Sequence, residues 1–108
     1  MVDEQQFRRD ADRALEQLKQ SLINVEEDGG FEVEENSGVL NVVFESPRAK
    51  FVFTPNAPVR QIWISALTTS FKLDWTDGAF VLPKTGETLP TLAARLVREQ
   101  TGNADFTL

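Results

Sequence analysis

The chain has 108 residues, eight of them Phe, with no Cys, no His and a formal net charge of −6. That length suits one domain that can bury roughly two-thirds of its unfolded surface around a single core. The missing thiols and imidazoles exclude disulfides, ordinary zinc sites and Cys- or His-centred catalysis, so any metal would be held by oxygen. The acidity is uneven: residues 1–35 carry eleven carboxylates against four basic side chains, and residues 36–108 carry six against seven. Phosphates would be repelled by the N-terminal third, which disfavours nucleic acid and favours a cation or a basic protein as partner. No apolar run approaches the roughly 18 residues of a membrane span, and Met1-Val2-Asp3-Glu4 has no basic leader character. A soluble, untargeted protein is expected.

Phe7, Ala11, Ala14, Leu15, Leu18 and Leu22 follow one helical face, which predicts an amphipathic helix from about 4 to 24 with Asp3 or a neighbour as its cap. Val25 to Gly30, with its paired glycines, ends it. Short alternating runs follow. Phe31 and Val33 alternate with Glu32 and Glu34, Asn36-Ser37-Gly38 makes a tight turn, and Leu40, Val42 and Phe44 alternate with Asn41, Val43 and Glu45. Ser46-Pro47-Arg48 turns the chain into a third strand carrying Phe51 and Phe53. Thr54 to Pro58, with two prolines, is expected to be a loop outside any central strand.

Val59 to Ala66 reads as the fourth strand. Its alternation places Ile62 and Ile64 on one face and Gln61, Trp63 and Ser65 on the other. An outward Trp forgoes roughly 1.5–3 kcal/mol of burial, so it marks either a contact surface or a ring packed under a loop or helix end. Ala66 to Thr69 leads to a fifth strand with Phe71, Leu73 and Trp75 inward and Lys72 and Asp74 outward. Thr76-Asp77-Gly78 turns into a short sixth strand, Phe80 to Leu82. Thr88 is the expected N-cap of a second long helix striped by Leu89, Leu92, Ala93, Leu96 and Val97 and ended by Gly102. The tail is expected to pack back through Phe106 and Leu108. The fold class is therefore α+β: a two-layer sandwich in which a six-stranded antiparallel sheet carries two helices on one face. The other face is wet, with Asn41, Val43, Val52, Thr54, Gln61, Trp63, Ser65, Lys72 and Asp74 on it.

Four stretches carry more than a fold: Ser37-Gly38-Val39-Leu40, Pro58 with Gln61-Ile62-Trp63-Ile64-Ser65, Asp74-Trp75, and Gly86-Glu87-Thr88-Leu89. With them the chain resembles the frataxin family over essentially its whole length, and its ending, Ala104-Asp105-Phe106, is similar to that of the bacterial members. The resemblance implies a cytoplasmic accessory protein of iron-sulfur cluster assembly that binds iron (Fe2+ or Fe3+) weakly and docks on a cysteine desulfurase and a scaffold protein. It implies a docking surface centred on Trp63, with Gln61 as its amide and Arg60 and Lys72 as its basic positions; Asn41 and Thr54 stand on the same wet face, and Thr54-Pro55 departs from the Asn and following polar or basic residue that many frataxins carry there. No tight cofactor and no membrane contact are implied. A monomer is expected, with metal-induced oligomers left open.

Carboxylates suit hard cations, and crowded like charges are relieved by one. The candidate metal ligands are Asp12 and Glu16 on the first helix, Glu26, Glu27 and Asp28 after it, and Glu32 and Glu34 on the first strand. Where frataxins continue their acidic ridge, this chain has Lys19, Gln20, Ile23 and Asn24. Arg8 and Lys19 stand at spacings that would pair them with Asp12 and Glu16. The alternatives are a ferroxidase-type enzyme working at paired carboxylates and a protein-binding module of the same fold that has lost iron.

Overall fold

The helical stripe sits where the periodicity puts it. In the computed structural model, which describes residues 4–45, 48–66, 69–76 and 78–108, α1 runs Glu4–Asn24 and buries Phe7, Ala11, Leu15, Leu18 and Leu22. The expected cap Asp3, the turn residues Ser46, Pro47 and Asp77, the linking Leu67 and Thr68, and the side chain of Asp28 lie outside the described residues. A single helical turn, α2 (Glu26–Gly29), follows, and Gly30 leaves it in the left-handed region at φ 69°. Six strands come next: β1 (Phe31–Asn36), β2 (Val39–Glu45), β3 (Arg48–Asn56), β4 (Gln61–Ala66), β5 (Thr69–Thr76) and β6 (Ala79–Val81). The chain ends in α3 (Leu89–Thr101) and a short tail.

Every strand pairs antiparallel with its sequence neighbour, in the order β1-β2-β3-β4-β5-β6. The first hairpin shows why. Asn36 pairs with Val39, so Ser37 and Gly38 alone make the turn, with φ 53° and 84°. Two successive left-handed residues give the type I′ geometry that matches strand twist. On the inner face Val42, Phe51, Phe53, Ile62, Ile64 and Leu73 are all buried beneath α1 and α3, with Phe44 and Phe51 rings 4.9 Å apart. The α+β sandwich, with its six-stranded sheet and two long helices, is as expected.

Three expectations need correction. First, Thr54 to Asn56 are strand: β3 continues through Pro55, which pairs with Ile62. Pairing with β2 stops at Leu40–Phe53, so this extension is bonded on one side only, where a residue without an N–H is tolerated. Second, β4 begins at Gln61. Ala57–Val59 form a 3-10 turn closed by Arg60 in the left-handed region (φ 55°), with the Arg60 N–H donating to the Ala57 carbonyl. Val59 is half exposed instead of lying in the strand. Third, only Phe106 of the tail packs inward, edge-on to Phe31 at 6.1 Å and with its carbonyl held by Arg98, while Leu108 stays exposed.

At the start of α3, Thr88 occupies the cap position but its hydroxyl donates to Thr91 Oγ1 instead of capping a backbone N–H. The anchor of this corner is ionic. Arg95 grips Glu87 in a two-pronged bond, Nε to Oε2 at 2.7 Å and Nη2 to Oε1 at 3.0 Å, and also reaches Glu99 at 2.8 Å. The hydrogen bond from Arg95 holds the Glu87 carboxyl below its ordinary 4.5, against the opposing effect of burial.

A folded-state pKa below the unfolded one stabilises above about 4.5, and the contribution is lost as pH falls through the folded value. Glu87→Gln is therefore expected to lower unfolding free energy by roughly 1 kcal/mol at neutral pH, the worth of a partly exposed charge-assisted pair. Denaturant titrations of both proteins should show this difference shrinking as pH is taken from about 6 to about 3.

Candidate functional site

The open face of the sheet is built by register. One cross-strand row runs Thr54, Trp63, Lys72 and the next runs Asn56, Gln61, Asp74, Val81. The inward burial of Ile62 and Ile64, at 0% and 1% exposure, forces Trp63 between them to point outward, where it is 38% exposed. Two side chains hold the ring, and a third holds one of those two. Its indole N–H donates to Gln61 Oε1 at 2.8 Å, the Gln61 amide donates to Asp74 Oδ1 at 2.8 Å, and Lys72 Nζ stands 4.8 Å from the ring centroid. A cation over an indole face is worth about 0.5–1 kcal/mol at exposed sites. Trp63, Gln61, Asp74 and Lys72 thus form one rigid unit across β4 and β5. A shallow depression of about 200 Å3, bordered by Val52, Thr54, Ser65 and Ser70, lies beside the ring.

The remaining expected members of this surface divide. Thr54 is in register with Trp63 and partly exposed. Asn41, expected in water, is buried at 9% exposure. It lies in the row between Glu34 on β1 and Val52 on β3, so a short side chain is flanked by a longer one and a branched one. Arg60 stands off the sheet, its guanidinium folded back on the carbonyls of Ala57 and Pro58. Asp74 is a component of the cluster whose part was not foreseen. Alternation had placed it outward, but nothing in a linear pattern joins it to Gln61 thirteen residues earlier.

The acidic candidates are dispersed. Asp12 and Glu16 are exposed on α1, Glu27 is exposed on α2, and Glu32 and Glu34 project from the outer face of the edge strand β1. Arg8 pairs with Glu4 at 3.0 Å and not with Asp12, the arrangement with Glu preceding Arg by one turn being the favoured one. Lys19 lies 3.9 Å from Glu16 and 3.2 Å from Glu35, so it ties α1 to β1. Glu26 is engaged with backbone: its Oε2 accepts the Val33 N–H at 2.8 Å. That carboxylate covers a donor on the free edge of the sheet, where an uncovered N–H would invite another strand. Among the described residues no three acids converge into a group able to hold a metal ion.

Comparison with known proteins gives a consistent answer. A family model described as a frataxin-like domain matches residues 1–103. A protein named iron-sulfur cluster assembly protein CyaY from Pseudomonas fluorescens is 34% identical over 97 residues, covering 85% of this chain and 87% of its own length. One of the same name from Azotobacter vinelandii is 32% identical over 92 residues, covering 82% and 83%. Among solved structures, frataxin from Psychromonas ingrahamii superposes with a TM-score of 0.72 at 19% identity, over 93% of this chain and 92% of that one. A trimeric yeast frataxin from Saccharomyces cerevisiae, complexed with ferrous iron, gives 0.72 at 24% identity, over 86% of each chain.

Removing the edge cover by Glu26→Ala is expected to speed hydrogen exchange of the Val33 amide well beyond the amides of β3 and β4, which should follow only the change in global stability. The loss of stability should be about 1 kcal/mol, the worth of one charge-assisted hydrogen bond at a partly buried site.

Proposed function

The chain belongs to the frataxin family, and on that footing we propose that it is a non-enzymatic accessory protein of iron-sulfur cluster assembly that works in the cytoplasm by docking on a cysteine desulfurase and its scaffold partner. The observation that carries this reading is Trp63, exposed in the middle of an open sheet face and held by Lys72 and by Gln61, which is itself bound to Asp74. Large aromatics at the centre of a polar surface are typical interface anchors. A ring already fixed in place loses little entropy on binding. The acidic N-terminal third supplies the complementary element, a field that draws a basic groove on the desulfurase toward α1 and β1.

Iron has the second place in this proposal. The exposed Asp12, Glu16, Glu27, Glu32 and Glu34, with Glu26 beside them, offer oxygen donors that share no cage among the described residues, and Asp28 adds a further acid by sequence, so binding is weak and poorly selective among hard cations. Iron would be cargo at such a surface, held long enough to be delivered and without oxidative turnover.

Trp63→Ala should lower the melting temperature by only a few degrees, the worth of one exposed cation–π contact and one exposed hydrogen bond, far less than loss of a core aromatic. Capture of the desulfurase and scaffold complex on immobilised protein should fall by about tenfold or more, the loss of a hot-spot aromatic. Capture that matches wild type would remove docking through this face. Titration with Fe2+, followed by NMR, is expected to broaden the amides of residues 26–34 first. Broadening nowhere in the N-terminal third would leave a docking module without iron, and oxygen uptake with saturable turnover would instead indicate a ferroxidase.

A further inference from the structure

On the helical side of the molecule, away from Trp63, a cleft of about 540 Å3 opens between α1, the β5–β6 hairpin and the first turn of α3. Its volume falls within the roughly 300–1,000 Å3 usual for small-molecule sites, and like them it pairs apolar walls with a few polar groups. We propose that this cleft binds a small planar heteroaromatic molecule bearing an amino donor and an acidic group, the chemistry of a purine mononucleotide.

Asp10 is the first reason. It lines the cleft yet is only 8% exposed, and both of its oxygens accept from one group, the Gln6 side-chain amide, at 3.0 and 3.1 Å. Gln6 is in turn held by Arg9 at 3.1 Å, so the carboxylate is oriented from behind. A carboxylate has about four acceptor positions, and no cation pairs with this one among the described residues. The Gln6 amide leaves acceptor positions on both oxygens unfilled, and an amino group of a ligand can take one of them.

The aromatic wall is the second. Trp75 stands edge-on to Phe80 at 4.9 Å, is partly exposed and borders the cleft, offering a flat surface on which a heterocycle can stack. The third is Arg13, three residues beyond Asp10 on α1, hence about 5–6 Å along the same side. It is exposed and makes no ion pair among the described residues, which leaves its guanidinium for the acidic group at the mouth. Gln17, a turn farther on, adds an amide for hydroxyls between ring and acid. No ligand group needs to displace the cluster around Trp63, so the two sites are independent.

The test is an NMR titration of the full chain with adenosine 5′-monophosphate, adenosine and inorganic phosphate, each up to the millimolar range, read at the Trp75 indole and at the Gly78 and Ala79 amides. The nucleotide should shift these resonances saturably and leave the Trp63 indole unmoved. Asp10→Asn, which keeps an acceptor for Gln6, should weaken the nucleotide at least about tenfold, and Arg13→Gln should reduce it to the affinity of adenosine. Because a change at a buried residue can disturb folding, Ala14→Leu serves as a second variant that fills the helix wall of the cleft and should abolish binding at unchanged melting temperature. The absence of saturable shifts with the nucleotide, undiminished binding by Asp10→Asn, or phosphate alone binding as tightly as the nucleotide would each overturn the proposal.

Discussion

The architecture depends on one constraint, the pleat of β4. Ile62 and Ile64 are driven under the helices by the free energy of burying two branched side chains, about 1.5–3 kcal/mol each, and the strand between them has no freedom left. Trp63 is outward because its neighbours are inward. A one-residue slip of β4 against β3 would place the indole in the core and two isoleucines in water, so the hydrophobic layer beneath sets the identity of the surface above. The pairing of Phe53 with Ile64 and of Ile62 with Leu73 locks that register from both sides.

How much of this could be read from the chain follows from the range of the forces involved. Alternation and helical periodicity are local, so α1, the six strands and α3 appear in the residues themselves, and so do the inward Phe51, Phe53, Ile62 and Ile64. Two-residue turns such as Ser37-Gly38 are equally local. The misreadings involve partners distant in sequence. Pro55 looks like a loop residue until one knows that β2 has ended beside it. Asn41 reads as exposed because alternation names a face and says nothing about the height of the side chains on the neighbouring strands. Val59 and Arg60 read as strand because a left-handed arginine leaves no mark in a hydropathy pattern, although Pro58 was a clue to the 3-10 turn.

The candidate sites divide in the same way. Trp63 and Gln61 were legible from their strand and from the frataxin-like stretch that contains them, whereas the link to Asp74 required the β4–β5 register. Spacing on α1 suggested that Arg8 would neutralise Asp12, but Glu4 takes that guanidinium. Glu26 looked like one acid of a loose cluster and proves to be a backbone acceptor at the sheet edge. Asp10, set beside the apolar stripe of Phe7, Ala11 and Ala14, carries no mark in the sequence, because a charge on a helix flank is ordinarily solvated.

The meander order of the sheet carries a kinetic meaning as well. Each strand finds its mate a few residues away, so loop-closure entropy is small at every step and the hairpins can zip in succession. The one long closure brings α1 and α3, from opposite ends of the chain, together over the inner face. The surface that displays Trp63 is thus assembled from contacts close in sequence, while the cleft beside Asp10 exists only once the two termini have met. Fraying at either end should erode the cleft before it disturbs the sheet.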